Sequence, residues 1–174
     1  MIISCWNIRG LNQPSKQIEV ARLIHEKKID VIGLVETKVR ILNQDKINKN
    51  IIPNWQFVTN CQTDSIGRIW VGWNPEKVFL NVLMCSQQLI HVKIVSVDLL
   101  VTFEASFIYG LHTVQDRRSL WRDLSRCAAS TGSISWISLG DFNVVLHPNE
   151  VFGSNQGRSK EQRNLMTALM LAAL

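Results

Sequence analysis

Apolar positions in this chain fall into short runs broken by polar and glycine-bearing turns, interrupted by a few stretches in which they recur every three or four residues. Ile2 to Ile8 reads as a strand, followed by a loop hinged at Gly10. From Ser15 to Lys28, Ile18, Ala21, Leu23 and Ile24 recur at helical spacing between charged residues. That pattern predicts an amphipathic helix, with His25 as a boundary residue rather than a base. Asp30 to Glu36 is nearly all apolar and reads as a central strand covered on both faces, ending on a carboxylate. Strand, helix and strand make a βαβ-like start, although sequence leaves the pairing direction open.

The middle of the chain is richer in strands. Ile41 to Asn50 is polar and helix-compatible, Pro53-Asn54 turns into Trp55 to Thr59, and Asp64 to Gly67 marks another turn. Arg68 to Trp73 alternates into a strand closed by Asn74-Pro75. Val78 to Leu83, Leu89 to Val97 and Leu99 to Tyr109 then follow at short intervals, a meander that favours antiparallel pairing.

Gln115 to Ala129 reads as a helix with Leu120, Trp121, Leu124 and Cys127 on one face. Arg117 and Arg118 in its first turn oppose the helix dipole; solvation is the preferred reading, contact with a phosphate backbone the other. Ile134 to Asn143 predicts a buried strand stopped by Gly140. A loop through His147, Pro148 and Gly157 leads to a last helix from Lys160, apolar nearly all round, which expects a partner.

Composition narrows the class. A chain of 174 residues with 46% hydrophobic and 19% charged content is long enough for one domain with a real core and too short for two. The net charge of +5 favours acidic partners such as nucleic acid. Cys5, Cys61, Cys85 and Cys127 lie far apart without a CxxC pair, which argues against a zinc site or disulfide framework and for a reducing compartment. No signal peptide is apparent, and the apolar region Val92 to Tyr109 is broken by Lys93, Asp98 and Glu104, so no membrane span is expected. The expected location is nuclear or cytoplasmic, not secreted. Repeats, a phosphate-binding GxxxxGK[ST] loop and a GxSxG elbow are all missing from the sequence, so neither a solenoid nor a P-loop nucleotide enzyme is supported; no small-molecule cofactor is expected.

Candidate chemistry collects at strand ends. Residues two apart on extended backbone point the same way, so Asp141 and Asn143 would face one site while Phe142 turns into the core. A carboxylate can orient or deprotonate water, and a carboxamide can hold a phosphoryl oxygen without adding charge. A simple strand-end turn accounts for Gly, Asp and Asn equally well. Asn7 and Tyr109, the one tyrosine, also end strands. Glu36 is either a cation-holding carboxylate or the partner of Lys38 or Arg40.

Taken together, the segments Cys-Trp-Asn-Ile-Arg-Gly-Leu-Asn, Gly-Leu-Val-Glu-Thr-Lys, Gly-Arg-Ile-Trp-Val-Gly-Trp, Phe-Ile-Tyr-Gly, Arg-Arg-Ser-Leu-Trp-Arg-Asp-Leu and Leu-Gly-Asp-Phe-Asn resemble the endonuclease/exonuclease/phosphatase superfamily. More narrowly they resemble the apurinic-endonuclease-like domain of plant non-LTR (LINE-type) retrotransposons, over Met1 to about Gly157. The resemblance implies a DNase-I-like four-layered α/β sandwich and a Mg²⁺-dependent phosphodiesterase, Mn²⁺ being the alternative ion, with DNA as substrate. It further implies Glu36 as the metal ligand supported by Asn7, Asp141 positioning or activating water, Asn143 bonding the phosphate and Tyr109 donating to a phosphoryl oxygen.

Two departures stand out. Arg9 replaces an acidic residue found in many relatives, and the family's Ser-Asp-His segment does not occur; neither His112 nor His147 matches it. The expectation is therefore a single partial domain over 1–174, incomplete at its C-terminus and impaired in catalysis. Self-association would follow through an uncovered sheet edge and the apolar last helix. The alternatives are a catalytically inactive retroelement remnant that binds nucleic acid weakly, and a phosphoester phosphatase of the same fold.

Overall fold

The computed structural model describes residues 1–62 and 66–144 of the chain. Asp64 of the expected turn, the loop through His147, Pro148 and Gly157, and the helix expected over 160–174 all lie outside the described residues.

Strand β1 (Ile3–Asn7) leads to helix α1 (Pro14–Lys27), β2 (Val31–Arg40), one turn of 3₁₀ helix (Ile41–Asn43) and α2 (Gln44–Ile51). Strands β3 (Gln56–Thr59), β4 (Ile66–Trp73), β5 (Val78–Cys85), β6 (Leu89–Ser96) and β7 (Thr102–Tyr109) follow, then α3 (Arg118–Thr131) and β8 (Trp136–Asp141). They form two four-stranded sheets, ordered β1-β2-β4-β3 and β5-β6-β7-β8. The direction left open by the sequence is settled: β1 and β2 are parallel, as are β7 and β8. The remaining neighbours, including the β5-β6-β7 meander, are antiparallel.

Alternation along each strand supplies an apolar face to both sides of a sheet. Val31, Val35, Ile69 and Val71 of the first sheet meet Ile90, Val92, Ile94, Ala105 and Phe107 of the second. The sheets approach closely at Gly33, where an added Cβ would sit 2.1 Å from the Phe107 ring. On the outer face of the first sheet, Val20, Ile24, Ile47 and Ile51 of α1 and α2 cover Ile32, Leu34 and Trp70. On the other side, Leu120, Trp121, Leu124 and Cys127 of α3 cover Leu89 and Ile108. Helix, sheet, sheet and helix are thus four layers. Each fully buried aliphatic or aromatic side chain contributes about 1.5–3 kcal/mol relative to exposure.

Several local expectations change. The buried face of α1 is Gln17, Val20 and Ile24, while Ile18 is 67% exposed. Gln17 is drawn inward because its Nε2 donates to Leu11 O at 3.0 Å and its Oε1 accepts from Asn50. Strand β7 starts at Thr102 rather than Leu99, which occupies the preceding turn with φ 59°. Helix α3 starts at Arg118; Arg117 is its N-cap residue and is buried rather than solvated, its guanidinium donating to Leu111 O. Strand β8 is an edge among the described residues, and Ile137 on it is 44% exposed, so the expected buried strand is covered on one side of its ladder only.

Candidate functional site

The two parallel pairs bring the chemistry together. Parallel strands end on the same side, and register places Asn7 opposite Val35, one residue before Glu36, and Tyr109 opposite Asp141. Packing the sheets face to face then sets β1 beside β8 and β2 beside β7 and β8, with the ends of β1, β7 and β8 and the irregular stretch of β2 after Val35 at one rim. Crevices at such strand ends are where α/β proteins place ligands. The bridge across the rim is direct: Asn7 Nδ2 donates to Asp141 Oδ2 at 2.8 Å.

Backbone geometry around this rim is unusual. The β2–β4 ladder shifts register between Val35 and Val39, and within that bulge Glu36 and Lys38 adopt φ of 58° and 54°. Arg9 and Asn143, at the ends of the neighbouring strands, have φ of 52° and 51°. Left-handed backbone at non-glycine residues costs about 1–3 kcal/mol each and persists where surrounding bonds impose it. Here those bonds are visible. Gly10 N and Leu11 N donate to the carbonyls of Glu36 and Thr37 at 2.8 and 2.9 Å. Thr37 Oγ1 donates to Gly67 O at 2.9 Å, and Asn12 Nδ2 to Lys38 O at 2.8 Å.

Asp141 and Asn143 do share a site, but a turn joins them. Strand β8 ends at Asp141, and Asn143 N donates back to Asp141 Oδ1 at 2.9 Å. The turn reading holds, and it is this turn rather than strand alternation that sets the two residues side by side. Phe142 turns inward as expected, stacked on Trp121 at 6.4 Å between ring centres. Asn143 Nδ2 donates to Gly110 O at 2.5 Å, and its side chain also hydrogen-bonds the Tyr109 hydroxyl.

Electrostatics separate the roles of these groups. The Lys38 ammonium, 2.7 Å from Glu36 Oε1, holds the Glu36 carboxyl below the ordinary carboxylate range; burial opposes this, and a hydrogen bond from Asn7 and the charge of Arg9 assist it. Asn7 thus lies between two carboxylates, bonding both, while its Oδ1 accepts from Arg9 N at 3.2 Å. The Tyr109 phenol is pushed up, first by burial and then by the Glu36 charge, so it is a neutral donor near pH 7.

Glu36 and Asp141 are the carboxylates of this cluster that could hold a cation. Among the described residues no group of three or more His, Cys, Asp and Glu could hold a metal. Magnesium, however, binds through one or two carboxylates and retains several waters. Glu36 already takes a cation, the Lys38 ammonium, where it faces the rim. Burial pushes the thiol of Cys5, beside Asp141, up to about 12, which disfavours a thiolate ligand there.

All five residues singled out in the sequence, Asn7, Glu36, Tyr109, Asp141 and Asn143, meet at this rim. Of the two partners expected for Glu36, the structure shows Lys38 and not Arg40. Three residues the sequence did not mark join them. The His112 ring lies edge-on to Tyr109 at 6.3 Å, and the Arg68 guanidinium is 6.0 Å from the same ring centre. Gln88 holds the segment after Tyr109, its Nε2 donating to Asp116 O and Ser119 Oγ and its Oε1 accepting from Leu111 N. Arg68 had a signal in its segment, a lone charge within an apolar strand; Gln88 had none.

No protein-family model matches the chain, and neither does any curated protein. Solved structures do. The endonuclease domain of TRAS1, a telomere-specific non-LTR retrotransposon, superposes with TM-score 0.71 at 14% identity over 95% of this chain and 69% of that one. An AP endonuclease from Archaeoglobus fulgidus gives TM-score 0.65 at 18% identity, covering 98% of this chain and 71% of its own. A mannosyl-6-phosphatase from Bacteroides thetaiotaomicron gives 0.59 at 14% identity, covering 82% and 65%. The chain has the DNase-I-like fold of endonuclease/exonuclease/phosphatase proteins, and it spans about two thirds of the length of these neighbours. No helix among the described residues is long and apolar enough to cross a membrane.

Proposed function

We propose that this chain is a retroelement-type, Mg²⁺-dependent phosphodiesterase domain that nicks DNA. The observation that carries the reading is the Asn7–Asp141 hydrogen bond at 2.8 Å, which joins the ends of two sheets into one cluster with Glu36, Tyr109 and Asn143. An acidic group that attracts a cation, a second carboxylate and two neutral donors are the parts a phosphodiester hydrolysis needs.

In this reading Glu36 would hold the ion, with Lys38 giving way, and Asn7 would keep the Glu36 and Asp141 carboxylates apart and oriented. Magnesium or manganese bound there would neutralise charge on the phosphoryl oxygens. Asp141, held through both oxygens by Asn7 and Asn143, orients a water and accepts its proton. Asn143 exchanges its bond to the Tyr109 hydroxyl for one to a phosphoryl oxygen, and the freed phenol donates to a second. Arg9, Lys38 and Arg40, all exposed near this rim, suit the DNA backbone on either side.

The chain contains no Ser-Asp-His sequence, and the loss of one such donor is typically worth about 10²–10³ in rate. Slow turnover is therefore expected from these residues alone. The test is nicking of supercoiled DNA with Mg²⁺ by the wild-type chain, Glu36→Ala and Asp141→Ala. Rates lower by about 10² or more in both variants support the reading. Equal rates in all three proteins overturn it.

A further inference from the structure

Arg68 is the one charged residue in β4. Its neighbours Ile69 and Val71 face the core between the sheets, whereas Trp70 faces the helices. Regular alternation would send Arg68 to the helix side with Trp70. Both ladders beside it are interrupted. The β2 register shifts between Val35 and Val39, directly opposite, and on the other side Asn60 Oδ1 accepts from Arg68 N and Ile69 N at 2.9 Å each. Such irregularities re-aim a side chain. The guanidinium carbon comes to lie 6.0 Å from the centre of the Tyr109 ring, within cation–π range.

We propose that Arg68 is a positioning residue for Tyr109, its guanidinium set over the phenol ring at cation–π distance so that the hydroxyl stays where a phosphodiester oxygen takes its hydrogen bond. This rests on the phosphodiesterase reading above and names a residue that reading does not use. The groups facing Tyr109 are Glu36 and Lys38 from β2, Arg68 from β4, His112 from the loop after β7 and Asn143 after β8. Of the two cations, Lys38 carries an ammonium, which has no planar face to set over a ring. Arginine has that face.

The experiment compares wild type, Arg68→Met, Arg68→Lys, Tyr109→Phe and the Arg68→Met/Tyr109→Phe pair. Tyr109 is the only tyrosine, so its ring resonances in NMR report the contact without reference to activity. Arg68→Met is expected to shift those resonances and to lower kcat for nicking by roughly tenfold to 10²-fold, the scale of a misplaced reacting group, with KM little changed. Tyr109→Phe should cost at least as much, and the pair no more than Tyr109→Phe alone. Arg68→Lys should recover part of kcat. Unshifted ring resonances, additive losses in the pair, or a KM rise with wild-type kcat would each overturn the proposal. If Arg68→Met does not fold, Arg68→Lys decides: wild-type kcat with unshifted resonances sinks the idea. If the wild-type chain does not nick DNA, the nuclease reading fails on its own, and the Tyr109 resonances still determine whether Arg68 positions that ring.

Discussion

Asn7 and Asp141 stand 134 residues apart in the chain and 2.8 Å apart in space, the carboxamide donating to the carboxylate. That contact fastens the end of the first strand to the end of β8 and spans both sheets. Because Asn7 also bonds Glu36, one neutral side chain spaces two acidic ones, and the cluster loses its centre if Asn7 is shortened.

Asn7→Ala should therefore affect both fold and site. A hydrogen bond to a charged group is worth about 1.5–3 kcal/mol, and this one is half-buried, so the lower figure applies. Urea titration should show a loss of about 1.5 kcal/mol. On the proposed function, nicking should fall with it even at saturating Mg²⁺, because Asp141 would lose one of the two bonds that orient it. Wild-type stability in this variant would show that the bond contributes nothing.

Gly110→Ala tests the junction between β7 and β8. A Cβ there would lie 2.3 Å from Phe142 O, a backbone atom that cannot swing aside. Gly110 N also donates to Asp141 O at 2.8 Å. The alanine should push the Asp141–Asn143 turn outward, costing about 1–3 kcal/mol by overpacking. Activity should drop more than the stability loss accounts for, measured at a temperature where the variant remains folded.

Gln88 is 1% exposed and uses both ends of its amide to hold the segment that follows Tyr109. Gln88→Ala leaves Leu111 N without its acceptor and empties buried space, so a loss of about 2–4 kcal/mol is expected. Hydrogen exchange should quicken in residues 110–117 before it does in β6 or β7. Uniform exchange across these elements would contradict the role given to Gln88.

The second sheet carries a pH-sensitive network away from the site. His91 Nε2 lies 3.0 Å from Glu104 Oε2, its Nδ1 2.9 Å from Ser106 Oγ, and Trp136 Nε1 donates to that same Ser106 Oγ at 2.9 Å. Burial lowers the His91 pKa below its ordinary 6.5, although Glu104 pulls the other way. A depressed histidine pKa means that the unfolded chain binds the extra proton first. The His91 contribution is thus fully present above pH 6.5 and is lost as pH falls from there toward the folded-state value. Urea midpoints taken from about pH 8 down to about pH 5 should decline in wild type, and the decline should be shallower in His91→Gln.

Much of the architecture was legible in the hydrophobic pattern. The runs from Ile2, Asp30, Arg68, Val78 and Leu89 are strands, and the periodic stretches before Lys28 and before Ala129 are helices, because burial of an apolar face demands a period of two or of 3.6. Asn7, Tyr109 and Asp141 could be named for the same reason: a polar tip closing an apolar run is visible in one dimension, whereas β2 runs on to Arg40 past Glu36, which was expected to end it, and Asn143 lies in the turn after β8. Pairing direction, the bulge at 36–38 and the turn that brings Asn143 back onto Asp141 could not be named. Neither could the redirection of Arg68 onto Tyr109. These depend on hydrogen bonds between residues far apart in the chain, and local pattern carries no information about which distant strand will supply the partner. Hydrophobic spacing decides what is buried; only the closed set of tertiary bonds decides where the polar ends meet.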